Sequence, residues 1–200
     1  MESSIKKDLV FNTLKETSLI LEILKNDGEI IQKINDLIFI VCKCIKNDKK
    51  VLFFGNGGSA GDSQHMAGEF ICRFLKDRSS FPGIALTTDT SVLTSISNDY
   101  GYEKIFSRQI EGIGKKLDIA FAFSTSGNSE NVILGLKKAK EIGLTTVGFS
   151  GLGGGNMKEF CDFIIEVPSK STPRIQEMHL LIGHIICEGI ENIISGEESC

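Results

Sequence analysis

Apolar and polar positions change period once along the chain. From Ile5 to about Leu24, the apolar residues Leu9, Val10, Leu14, Leu21 and Leu24 recur near helical spacing, and Asn26-Asp27-Gly28 breaks the run. A second helix is predicted from Glu29 to Ile45, with Ile30, Ile31, Ile34, Leu37, Ile38 and Val41 on one broad apolar face. A hairpin this apolar needs a partner, either the rest of the fold or another copy of itself, and the second option favours a homo-oligomer. From Lys50 onward short apolar runs alternate with helix-like segments: Val51 to Phe54, Gly83 to Leu86, Ile119 to Phe123, Thr145 to Phe149 and Phe163 to Val167. Five unbroken apolar strands separated by helices predict an α/β fold, a three-layer sandwich with a five-stranded parallel sheet, doubly wound and flavodoxin-like, preceded by the helical hairpin. The final helix is predicted to start near Thr172-Pro173, with Thr172 as N-cap and Pro173 at the first helical position, and to run through Ile194.

Composition narrows the function classes. Two hundred residues with 41% apolar content can bury one full core. One domain is therefore expected over 1–200, with the hairpin at 1–48 and the α/β body at 49–195. A formal charge of -4 without a long basic run argues against a nucleic-acid partner. No apolar stretch approaches a membrane span and MESSIKKDLV lacks a signal-peptide core, so no membrane partner and a cytoplasmic location are expected. Cys42, Cys44, Cys72, Cys161, Cys187 and Cys200 are scattered in mostly apolar context and read as buried reduced thiols.

Two segments share one plan. GNGGSAGDS (Gly55 to Ser63) and STSGNSENV (Ser124 to Val132) each follow an apolar strand and open onto a helix. Free N–H groups, the positive end of a helix dipole and serine hydroxyls make such a turn an anion site, here one for phosphate. Both turns lie at carboxyl ends of strands, where open α/β sheets bind their ligands. The first loop lacks the P-loop lysine and the GxGxxG register, which disfavours ATP and dinucleotides. The bland alternative is a pair of tight turns with helix caps. A third cluster, Gly151 to Gly155, carries few side-chain donors and reads as a flexible turn.

The histidines divide by geometry. His65 and Glu69 are four apart on the helix leaving the first loop and share a face, which suits a divalent metal or paired acid/base work; a solvated ion pair is the alternative. On the last helix His179 and His184 point about 140° apart, so one of them is structural. Spacing alone selects Glu177, seven before His184 and nearly aligned with it, over Gln176, eight before it. Arg73 and Arg108 could add charge to a pocket or form surface ion pairs.

GNGGSAGDSQHMAGEF, LTTDTSVLTSISNDYGYEKIFSRQIE, STSGNSENV and RIQEMHLLIGH resemble, in order, the motifs of the phosphoheptose isomerases of the sugar isomerase (SIS) superfamily. The resemblance covers nearly the whole chain, most clearly Lys50 to Glu191. It implies that Asn56, Gly57, Gly58, Asn98 and Asp99 contact the sugar and that Ser124, Thr125, Ser126 and Ser129 hold the phosphate. It further implies a reacting centre of His65, Glu69, Gln176 and His184, which in many members binds one Zn²⁺ per subunit. Gln176 then replaces the Glu177 that spacing prefers, and His179 falls outside the site. Because Gln176 and His184 lie two turns apart on one helix, reaching one centre requires a distorted turn, leaning side chains or different subunits. The family is tetrameric, with sites at subunit interfaces.

The implied reaction converts sedoheptulose 7-phosphate to D-glycero-D-manno-heptose 7-phosphate through an enediol(ate). Glu69 is the expected general base, and also touches substrate, while His184 is the expected acid or a zinc ligand. Such products commonly feed lipopolysaccharide, capsule or surface-layer heptose. Other readings are a non-catalytic SIS tetramer that binds the replication initiator and another aldose/ketose isomerase acting on a sugar phosphate.

Overall fold

The computed structural model describes residues 2–196, with side chains from residue 8 onward, so Cys200 lies outside the described residues. Helix α1 (Glu2–Asn26) and helix α2 (Gly28–Lys46) meet at Asp27, whose carboxylate accepts from the amides of Glu29 and Ile30 and caps α2. The body follows as β1 (Val51–Gly55), α3 (Gly58–Ile71), β2 (Gly83–Ala85), α4 (Thr90–Tyr100), α5 (Ile105–Ile113) and β3 (Ile119–Phe123). It continues with α6 (Glu130–Ile142), β4 (Thr145–Ser150), β5 (Phe163–Glu166) and α7 (Thr172–Ile194). All strand pairs are parallel, in the order β2-β1-β3-β4-β5. This is the expected doubly wound sheet, with strand bounds within a residue of the apolar runs.

The strands are apolar throughout because both faces are covered. Phe53, Phe121, Phe123, Val147 and Phe149 face α2, α3 and α7, and the alternate residues Leu52, Phe54, Ala120 and Ala122 face α5 and α6. Phe121 touches Phe53, Phe123 and Phe149 at ring-centroid distances of 5.5, 6.3 and 5.4 Å, so the centre of the first layer is an aromatic stack.

The hairpin splits in role. Helix α2 buries Leu37, Ile38, Val41 and Cys42 in the core, whereas α1 buries Ile20 and leaves Leu9, Val10, Phe11, Leu14 and Leu19 exposed. Two details differ from expectation. The N-cap of α7 is Ser171 rather than Thr172, since Thr172 and Pro173 already have helical geometry. Cys72 is exposed, just past the end of α3, while Cys42, Cys44 and Cys187 are buried and Cys161 half-buried. Among the described residues, no helix is long and apolar enough to cross a membrane.

Candidate active site

The two glycine and serine loops leave the sheet side by side. Gly55, the last residue of β1, is in register with Phe123, the last of β3, so Asn56 and Ser124 are neighbours at the carboxyl edge. From there α3 turns to one face of the sheet and α6 to the other, which opens a crevice at the switch point of the strand order. Gly57 adopts a left-handed φ of 55°, and α3 starts with no side-chain cap. Asn56 exchanges two amide hydrogen bonds of 2.8 Å with Asn131 and accepts a third, 3.1 Å, from the Tyr102 hydroxyl. These bonds tie the first loop to the start of α6, a role for Asn131 and Tyr102 that spacing does not reveal.

The second loop is held by its own backbone. The Ser124 hydroxyl donates to that of Ser129, the Asn128 amide donates to the Ser126 hydroxyl, and α6 also begins without a side-chain cap. Gly127 has φ 66°, and a Cβ there would overlap the carbonyl of Gly154. The amide of Met157 donates to Gly127, that of Gly151 to Thr125, and that of Asn156 to the Asn128 side chain. The Gly151 to Gly155 segment is thus a packed buttress under the serine loop, which corrects its reading as a flexible turn. Asn98 and Asp99 sit on the exposed last turn of α4, where the Asn98 amide donates to Asp99. Arg73 is exposed, and Arg108 pairs with Glu111 and lies over the Tyr100 ring.

Helices α3 and α7 run parallel as a seam. Gln176 lies against Gly58 at the loop end, Gly183 against Met66 in the middle, and Glu191 reaches the turn beyond α3. His184 therefore meets His65, their Nε2 atoms 2.7 Å apart, and His65 Nε2 is 3.3 Å from Glu69 Oε1. One ligand atom from each of His65, Glu69 and His184 can gather within 4.8 Å of the others, half-buried to exposed. The Phe74 ring lies over His184 at 5.1 Å and 35°. Burial lowers the His184 pKa, helped by the charge on His65 and opposed by Glu69. Gln176 stands apart from this trio at the loop end of the seam, about 12 Å of helix rise before His184.

The remaining polar groups of the two helices sort plainly. Glu177, the partner that spacing selects, binds Arg174 and Thr17 instead. His179 is fully buried between Phe123 and Phe149 and contacts the Ser150 carbonyl through Nε2, so it is the structural histidine. Asp62, one turn before His65, has a buried oxygen with no partner among the described residues, and burial pushes its pKa up to about 6 against the pull of His65.

Two imidazole nitrogens and a carboxylate oxygen are a donor set that zinc favours, with a fourth position left open. Tetrahedral ligands about 2.05 Å from zinc stand roughly 3.3 Å from one another. The two Nε2 atoms, at 2.7 Å, need to open only slightly to fit.

Residues 15–151 match the SIS domain family model. The chain is 51% identical to phosphoheptose isomerase of Clostridium acetobutylicum, over 96% of this chain and 98% of that protein. It is 46% identical to the Burkholderia pseudomallei phosphoheptose isomerase over 94% and 96% of the two chains. The structure of phosphoheptose isomerase GmhA from Neisseria gonorrhoeae superposes with a TM-score of 0.88 at 34% identity, covering 94% of this chain and 99% of that one. This chain belongs to the SIS domain family and, within it, to the phosphoheptose isomerases.

Proposed function

We propose that this chain is the isomerase that converts sedoheptulose 7-phosphate to D-glycero-D-manno-heptose 7-phosphate. The convergence of His65, Glu69 and His184 carries the reading, because an aldose/ketose interconversion needs one base for carbon-bound protons and one group for oxygen-bound protons. Glu69 removes a proton from C1 while O2 gains one, giving the enediol. Glu69 then returns its proton to C2 as O1 loses one, and atoms and electrons balance without an oxidant. Glu69 Oε1 faces His65, which leaves its second oxygen for carbon. His184 moves the proton between the oxygens, and its lowered pKa keeps the imidazole neutral and able to accept near pH 7. Zinc held by His65, Glu69 and His184 would supply Lewis acidity toward the sugar oxygens, and with His184 engaged as a ligand a water would carry the proton between them in its place. Asn56, Gly57, Gly58, Asn98 and Asp99 contact the sugar in this reading. Ser124, Thr125, Ser126 and Ser129 hold the phosphate away from the reacting carbons, so their binding energy goes into placing C1 and C2.

The whole chain, 1–200, works here as one domain and as a homotetramer. The exposed apolar row of α1, Leu9, Val10, Phe11, Leu14 and Leu19, supports a subunit contact. A shared site is supported by the distance along α3, where His65 lies about 10 Å of helix rise beyond Gly58. Gln176 then serves as a ligand only from another copy. The enzyme is cytoplasmic and starts the supply of nucleotide-activated heptose, such as that of lipopolysaccharide. The test is incubation with sedoheptulose 7-phosphate, with and without zinc and a chelator, following aldose formation. No aldose under any of these conditions overturns the proposal.

A further inference from the structure

Glu191 is a buried carboxylate with no part in the chemistry above. Its side chain is 1% exposed and accepts from the amides of Phe74, Leu75 and Lys76 at 2.8, 2.8 and 2.9 Å and from Arg78 Nε at 2.8 Å. Burial opposes its charge, but the three amides and Arg78 outweigh it and hold the carboxyl below the usual range. A buried ion pair is weak evidence of stability, since an apolar pair of similar volume often does as well. Its position suggests a further role.

Glu191 follows His184 by seven residues on α7, and two of the four groups it grips lead back to the reacting pair. The amide it takes at Oε1 is that of Phe74, whose ring lies over His184. The guanidinium it anchors donates onward to the main-chain carbonyls of Glu69 and Phe70, at 2.7 and 3.0 Å, and lies 3.6 Å from the centre of the Phe81 ring. One carboxylate thus references both the end of α3 that carries Glu69 and the ring that seats His184.

We propose that Glu191 is a positioning residue that sets the orientation of the His184 imidazole through Phe74 and holds the Glu69 backbone through Arg78. The inference rests on the reading of Glu69 and His184 as reacting groups only for its effect on turnover; its effect on His184 does not need that reading. Misplacing a reacting group by about 1 Å can cost on the order of 10²-fold in rate. Phe74→Leu and Glu191→Gln should each lower kcat by roughly 10-fold to 10²-fold with little change in KM. Because they act on one chain of contacts, the double variant should be no slower than the slower single one.

The chain has three histidines, so their ring-proton resonances can be assigned in the full-length protein. In both variants the His184 signals should move in the same direction while those of His179 stay in place. Should Glu191→Gln fail to fold, Phe74→Leu reads the His184 branch, and Arg78→Lys, which keeps the charge and loses the fork, reads the Glu69 branch through kcat. A folded Glu191→Gln or Phe74→Leu protein with wild-type His184 resonances overturns the proposal, as do an unchanged kcat in Arg78→Lys and rate losses that multiply in the double variant. Absence of isomerase activity together with displaced His184 resonances would sink the catalytic reading and leave the positioning role standing.

Discussion

His65 and His184 face each other Nε2 to Nε2 at 2.7 Å, across two helices that are far apart in sequence. At that distance one nitrogen donates and the other accepts, so a single proton sits between the rings. A divalent cation held by the trio would take the place of that proton.

Zinc binding to the metal-free chain should therefore release protons and weaken as pH falls below the histidine range, because the imidazoles must be deprotonated to ligate. His65→Ala should reduce zinc affinity on the order of 10²-fold or more, since losing even an outer-shell partner costs about 10- to 100-fold. Isothermal titration calorimetry in two buffers of different ionisation enthalpy measures both. Unchanged affinity in His65→Ala would remove it from the ligand set.

Glu69→Gln retains the shape of the side chain and removes the base. Turnover should fall by about 10²-fold or more while binding of the sugar phosphate persists, the usual range for a positioned acid/base group. Retained wild-type turnover in a stopped assay of aldose formation would exclude Glu69 as the base.

Gly127 tests the phosphate loop. Alanine there meets both a left-handed φ and the Gly154 carbonyl, and the strain should cost about 1–3 kcal/mol. The loop must shift, so KM for the phosphorylated sugar should rise. Ser126→Ala, which removes one hydroxyl without strain, should raise KM at nearly unchanged stability. Equal KM values for wild type and both variants would place the phosphate elsewhere.

Stability should decline in mild acid through His179. Its Nε2–H donates to the Ser150 carbonyl, Nδ1 has no partner among the described residues, and burial outweighs that bond to push the pKa down to about 4. An unfolded histidine titrates near 6.5, so below that pH the unfolded chain binds a proton that the native chain refuses. This contribution is complete above 6.5 and is lost between 6.5 and 4, at about 1.4 kcal/mol per pH unit. In urea titrations His179→Gln should lose about 2 kcal/mol less than wild type between pH 7 and 5. Parallel losses would acquit His179.

Much of this was legible in the sequence. Both faces of the sheet are covered, so strands such as Val51–Gly55 and Ile119–Phe123 stand out as unbroken apolar runs. His65 and Glu69 were legible because a helix brings i and i+4 together locally. What escaped depends on pairing between distant elements. That His184 meets His65, and that Gln176 sits at Gly58, follows from the parallel seam of α3 and α7, which no spacing rule on one helix contains. The spacing choice of Glu177 failed for a local reason, because Arg174, three residues earlier on the same helix, claims its carboxylate. Glu191 shares the register of His184 at i+7, a signal that could have flagged it, but its partners lie on the turn after α3.

The serine loop and the Gly151 to Gly155 buttress are knit together mainly by main-chain bonds, whereas His65, Glu69 and His184 are side chains on the outer helices. Capture and chemistry are thus separately heritable. In the proposed reading, substitutions at His65, Glu69 and His184 would silence the reaction while leaving the contacts of the serine loop in place. In that reading, a chain stripped of the three side chains would still bind its sugar phosphate and turn none of it over.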